Sequence, residues 1–66
     1  MNTKTILAND SPQLHFARAI RDPDRRRFAH AYMDWLAAGR LGAVPEKGRL
    51  SAEAARMMVI QIEAIG

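Results

Sequence analysis

The sequence contains no cysteine, and that absence removes two of the usual ways of holding a very small protein together. Disulfides and every thiolate zinc site are excluded. Histidine is scarce too: His15 and His30 could complete a tetrahedral zinc site only with carboxylate help. His30 and Asp34 stand four apart, as two ligands on one helix would, yet no third ligand accompanies them. They read equally well as a surface ion pair. No metal or cofactor is expected. Long apolar runs are also missing. Ile6, Leu7 and Ala8 make a run far too short for a secretory core, and nothing approaches the ~20 apolar residues of a membrane span. With a cysteine-free composition suited to a reducing compartment, the expectation is a cytoplasmic protein without membrane contact.

The chain has 66 residues, room for one domain. A domain of this size buries only roughly 60% of its extended-chain surface, so its stability margin is thin. With disulfides and thiolate metal sites gone, oligomerisation is the remaining way to widen it. Catalysis finds little support. Ser11 and Ser51 read as helix caps, no glycine-rich turn or oxyanion loop surrounds either, and so short a chain lacks the walls of a dry pocket. A non-enzymatic protein is expected.

Ten Lys and Arg face seven Asp and Glu, a net +3, and arginine outnumbers lysine eight to two. Arginine suits planar, multidentate contact with carboxylate or phosphate. Five arginines, Arg18, Arg21, Arg25, Arg26 and Arg27, fall within ten residues. They read as a partner-binding site for an acidic protein surface or phosphate, or as a solvated junction half-neutralised by Asp22 and Asp24. Arg25 to Arg27 also oppose the helix dipole at a helix start, an unfavourable placement that hints at use.

Helix signals are clear. Ser11-Pro12 and Asp22-Pro23 are cap-plus-proline starts, so a short first helix should end or kink near Arg21. A second helix is expected over 23–38, with Phe28, Ala31, Tyr32, Trp35 and Leu36 on one face and Gly39 as its stop. The aromatic stripe reads better as core than as a stacking platform for bases. Residues 39–50, with Gly39, Gly42, Pro45 and Gly48, form a connection long for a helical hairpin, one that could wrap an edge or carry a contact surface. Ser51 caps a third helix running to Ile65, with Leu50 placed to staple onto Ala55.

That third helix is too apolar for one core face. Ala54, Ala55, Met58, Val59, Ile62 and Ile65 share one arc of about 140° at helical spacing. Met57, Ile60 and Ala64 make a second apolar ridge elsewhere, which points to a dimer interface. The expected core is Phe28, Tyr32, Trp35, Leu36, Met58, Val59, Ile62 and Ile65. The fold class expected is all-α: two main helices in a helical hairpin plus a short N-terminal helix, paired as a homodimer. Residues 11–66 make one helical domain, and residues 1–10 read as a loose arm or a short strand.

Two binding functions are consistent with these features. One is a protein-interaction module that dimerises through the third helix and offers the arginines or the 39–50 connection to a partner protein. The other is a small DNA-binding regulator of ribbon-helix-helix or helix-turn-helix type, with nucleic acid as partner. Three helices where the first form uses two, and a net charge of only +3, weigh against it. The layout resembles the very small helical phage-encoded proteins that disable host regulators, among them quorum-sensing anti-activators that bind a LuxR-type transcription factor. The resemblance runs over residues 11–66. It rests on size, the arginine cluster at 18–27, the segment Tyr32-Met33-Asp34-Trp35-Leu36 and the apolar helix at 57–65. It implies a dimer that docks on a host regulatory protein and prevents its binding to DNA.

Overall fold

Three cap residues set where the helices begin. The Ser11 hydroxyl accepts a hydrogen bond from the Leu14 N–H at 3.1 Å and starts α1, Pro12–Ala19. The Asp22 carboxylate accepts from the Asp24 N–H at 3.1 Å and starts α2, Pro23–Ala37. The Ser51 hydroxyl accepts from the Ala54 N–H at 3.0 Å and starts α3, Ala52–Ile65. Each satisfies one backbone donor that a helix start leaves orphaned, typically worth about 1 kcal/mol. The structure is a computed structural model that describes residues 11–65. The arm or strand expected at 1–10 lies outside the described residues. Among those residues the fold is all-helical, with no strand.

The end of α2 decides where the chain goes next. Gly39 adopts φ +78°, and its N–H donates to the Leu36 carbonyl at 2.9 Å. The Arg40 N–H donates to the Trp35 carbonyl, also at 2.9 Å. These two bonds form a Schellman motif, closing carbonyls that the last turn would leave open. Arg40 itself sits at φ +62°, a left-handed conformation that costs a non-glycine residue about 1–2 kcal/mol.

The helical hairpin expected for α2 and α3 is not what forms. Arg25, near the start of α2, shares a groove with Ser51, Glu53, Ala54 and Met57 at the start of α3. Tyr32 and Arg40, toward and beyond the end of α2, both reach Glu63 near the end of α3. Like ends meet, so the two helices run in the same sense. The connection must therefore travel back along α2, and its contacts record the path. The Trp35 indole N–H donates to the Gly42 carbonyl at 3.4 Å, and residues 46–49 line a groove with Asp24, Arg27, Phe28 and Ala31. A return of this kind spans the ~22 Å of a fifteen-residue helix. That length requirement explains a connection too long for a hairpin.

The core sits where the three helices meet. Its buried members are Ala17 from α1, Phe28, Ala29 and Tyr32 from α2, Leu50 from the end of the connection, and Met58 and Ile62 from α3. Trp35, Leu36 and Val59, expected in the core, pack against it half-buried, and Ile65 is half-buried at the end of α3. Leu50 is buried as a staple residue should be. On α2 the buried arc is turned from the one expected: Ala29 is fully enclosed while Ala31 is exposed. Because α2 contacts both α1 and α3, its buried face rotates to take in Ala29 and Met33.

This rotation is testable. Ala29→Leu should overpack the three-helix junction and cost about 1–3 kcal/mol. Ala31→Leu, which the simple helical pattern marks as the buried site, should change stability by no more than about 0.5 kcal/mol. Urea unfolding followed by circular dichroism measures both, and equal costs would reject the orientation of α2.

Candidate interaction surfaces

The five clustered arginines do not act as one patch. Arg26 turns inward: its Nη1 donates to the Ile20 carbonyl at 2.8 Å and to the Arg21 carbonyl at 3.5 Å. Its positive charge thereby covers the carbonyl end of α1 and holds the elbow between α1 and α2. Arg25 pairs with Asp22 at 3.4 Å and Arg27 with Asp24 at 3.0 Å, both i,i+3 contacts on exposed surface. Exposed pairs of this type add little stability. Arg18 and Arg21 are exposed and have no ion pair or hydrogen-bonded side-chain partner among the described residues. Of the five partner-binding residues expected from sequence, Arg18 and Arg21 are thus the most available, Arg25 and Arg27 are half-spent, and Arg26 is structural.

A polar cluster that no sequence pattern announces lies at the other end of α2. The Tyr32 hydroxyl donates to Glu63 Oε2 at 2.7 Å, and Arg40 Nη2 donates to the same oxygen at 3.3 Å. The Arg40 guanidinium stands 5.4 Å from the centre of the Trp35 ring, a cation–π contact. Tyr32 sits between Phe28, with centroids 6.0 Å apart, and Trp35, 5.5 Å apart. The aromatic stripe of α2 is thus a row of touching rings, stacked at Phe28–Tyr32 and tilted at Tyr32–Trp35, whose polar edge is tied to α3. Two signals are legible in part. Gly39-Arg40 reads as a helix end and Glu63 as part of a solvent-facing stripe, but their separation of 23 residues hides the pairing of Arg40 with Glu63.

The cluster fixes protonation states. Hydrogen bonding to Tyr32 holds the Glu63 carboxyl below its usual 4.5, with Arg40 acting in the same direction. The Glu63 hydrogen bond, followed by burial, pushes the Tyr32 hydroxyl above its usual 10.0. Both effects favour a neutral hydroxyl donating to an ionised carboxylate.

The dimer-interface residues expected from sequence lie on the outside of α3. Met57 is 46% exposed and Ile60 54%, and Ala64 is exposed beside them. Leu41 and Val44 on the returning connection are more exposed still. A separate groove of ≈ 190 Å³, floored by Phe28 and Ala31, is rimmed by Arg27, Lys47 and Arg49 but also by Asp24 and Glu46, so its charges largely cancel. Both capping serines are committed to backbone N–H groups, Ser11 to Leu14 and Ser51 to Ala54. Among the described residues no three His, Asp or Glu side chains converge as a metal cluster would. None of the described helices is long and apolar enough to cross a membrane.

Compared with known protein families, curated proteins and solved structures, the chain finds no match.

The cluster makes a pH prediction that one chromophore can report, because Tyr32 is the only tyrosine. The Glu63 contribution to folding is fully present above 4.5 and is lost as pH falls through the lowered carboxyl value. The Tyr32 contribution is present below 10.0 and is lost as pH rises through the raised hydroxyl value. Ultraviolet titration of tyrosinate should place Tyr32 above 10.0 in the native protein, and Glu63→Gln should bring it back toward that value. An unchanged titration in Glu63→Gln would contradict the Tyr32–Glu63 bond.

Proposed function

We propose that this protein is a non-enzymatic interaction module: it forms a homodimer through the outer ridge of α3 and docks on an acidic surface of a regulatory protein. The observation that carries the reading is the ridge itself. Met57 and Ile60 stand half-exposed on a helix whose opposite face already fills the core. A chain this short gains most by covering such a surface with a copy of itself.

The docking half of the reading rests on Arg18 and Arg21. They flank the α1–α2 elbow that Arg26 stiffens, so two uncommitted guanidiniums are presented from a braced corner. Guanidinium forks match carboxylates, and presentation from a rigid element lowers the ordering cost of binding. By the family resemblance, the partner is a host transcription factor held away from its DNA. The nucleic-acid alternative draws less support. Arg26 is turned into the protein, Arg25 and Arg27 are paired with aspartates, and the aromatic face of α2 is occupied in the core.

Light scattering tests the association. The wild-type chain should show twice the 7.4 kDa of one copy, and Ile60→Glu should return it to one copy while circular dichroism keeps its helical signal. A monomeric wild type, or an Ile60→Glu dimer, rejects the ridge. Titration with random-sequence duplex DNA at low and moderate salt tests the alternative. Tight binding with a steep salt dependence would replace the protein-docking reading with a nucleic-acid one.

A further inference from the structure

The outer face of α3 carries a charge order that only one arrangement of two copies satisfies. Met57, Ile60 and Ala64 follow the three-then-four spacing of an a, d, a seam. Continuing that register backward places Glu53 at the preceding d position, in line with the ridge. Arg56 and Glu63 then fall one heptad apart on the same flank, both at g, and both are exposed. Arg56 has no ion pair or hydrogen bond from its side chain among the described residues. Glu63 uses Oε2 for both Tyr32 and Arg40, which leaves Oε1 without a partner among the same residues.

We infer that the occupant of this ridge is a second copy of the chain whose α3 runs antiparallel to the first, with two reciprocal ion pairs between Arg56 of one copy and Glu63 of the other. This rests on the self-association proposed above and adds its geometry. In an antiparallel pair, a positions of one helix face d positions of the other, and g positions flank g positions. Met57 then meets Ile60 twice about the two-fold axis, Glu53 lies against the small Ala64 at each end of the seam, and Arg56 reaches Glu63 on the flank. Across such an interface the carboxylate of Glu63, near the carbonyl end of its own helix, stands beside the N-terminal half of the partner helix, where a negative charge is favoured.

The parallel arrangement fails on the same residues. It stacks a on a and d on d, so Glu53 would face Glu53 along the seam, a like-charge contact. Its flanks pair g with e, which matches Arg56 with the uncharged Gln61 and not with Glu63. The isologous contact also closes on itself at two copies, as a surface patch that is its own complement must. With α1 and α2 both packed on α3, Met57, Ile60 and Ala64 still stand exposed, and Arg25 of α2 borders the seam at one end, in a groove with Glu53 and Met57.

A chain without cysteine allows a direct test by engineered disulfides. Glu53→Cys and Ala64→Cys are made separately, both at exposed positions. On oxidation at micromolar concentration, an equal mixture of the two should give the mixed cross-linked dimer, and neither variant alone should cross-link efficiently. Efficient self-cross-linking of Glu53→Cys or of Ala64→Cys would overturn the antiparallel geometry while leaving the dimer standing. No cross-link in any sample, together with a single-copy mass for the wild type, would overturn the self-association and the geometry together. The ion pairs have their own readout. Arg56→Glu should weaken dimerisation on the order of tenfold, with Arg56→Lys close to wild type, because two attractive contacts become repulsive ones. A dimer indifferent to Arg56→Glu would overturn the assignment of Arg56 and Glu63 to the interface.

Discussion

A 2.7 Å hydrogen bond from the Tyr32 hydroxyl to Glu63 joins the two long helices at the end where the chain has just turned back. The connection after α2 could have led straight into a helical hairpin. It instead returns along α2, so that the last turn of α3 arrives beside Tyr32 and Arg40 and not beside the start of α2. The Schellman motif at Gly39 aims Arg40 at Trp35 and Glu63. Left-handed backbone at Arg40 is a local cost, and the contacts of its guanidinium with the Trp35 ring and with Glu63 offset it. A glycine there would relax the backbone and lose both contacts. The residue choice therefore belongs to the tertiary fold and not to the turn.

Some signals in this sequence are readable because they are local. Ser11, Asp22 and Ser51 announce helix starts through side chains that bond within three residues, and Gly39 announces a stop through its own φ. Periodicity finds the inward face of α3 almost without error, since that helix has one broad buried side around Met58 and Ile62. It places the face of α2 less well, because two partners share that helix and enclose Ala29. The direction of α3 cannot be read at all. Nothing in residues 39–50 distinguishes a slack hairpin loop from a return along α2, and the contacts that decide it join residues 31 and 23 positions apart. The arginine cluster is visible as a cluster, but its division into Arg26, which braces the elbow, and Arg18 and Arg21, which remain available, depends on where the Ile20 carbonyl ends up.

That division changes what the positive charge means. Clustered arginines in a chain of net charge +3 suggest a nucleic-acid surface when counted, yet the count includes guanidiniums already committed to Asp22, Asp24 and a helix end. With Arg25, Arg26 and Arg27 so engaged, Arg18 and Arg21 are the two of the five without an ion pair or side-chain hydrogen bond among the described residues. The same economy runs through the serines, both of which serve backbone donors. Both serines and several charged side chains, Arg26, Arg40 and Glu63 among them, are thus engaged in holding so small a fold together.

Apolar side chains obey the same logic from the other direction. The core has seven buried members, two of them alanines, a small interior for three helices. Met57 and Ile60 are not among its members or the residues packed against it, which on α3 are Ala54, Ala55, Met58, Val59 and Ile62. Their place on the outer face is what the proposed association would explain, since a second copy would cover apolar surface that the monomer leaves exposed. Glu63 connects the two levels. One of its oxygens fastens α3 to Tyr32 and Arg40 within the chain, and the other has no partner among the described residues. Because Tyr32 and Arg40 already hold the carboxylate ionised and in place, the ion pair with Arg56 inferred above would form on a side chain that is already ordered, at little further ordering cost.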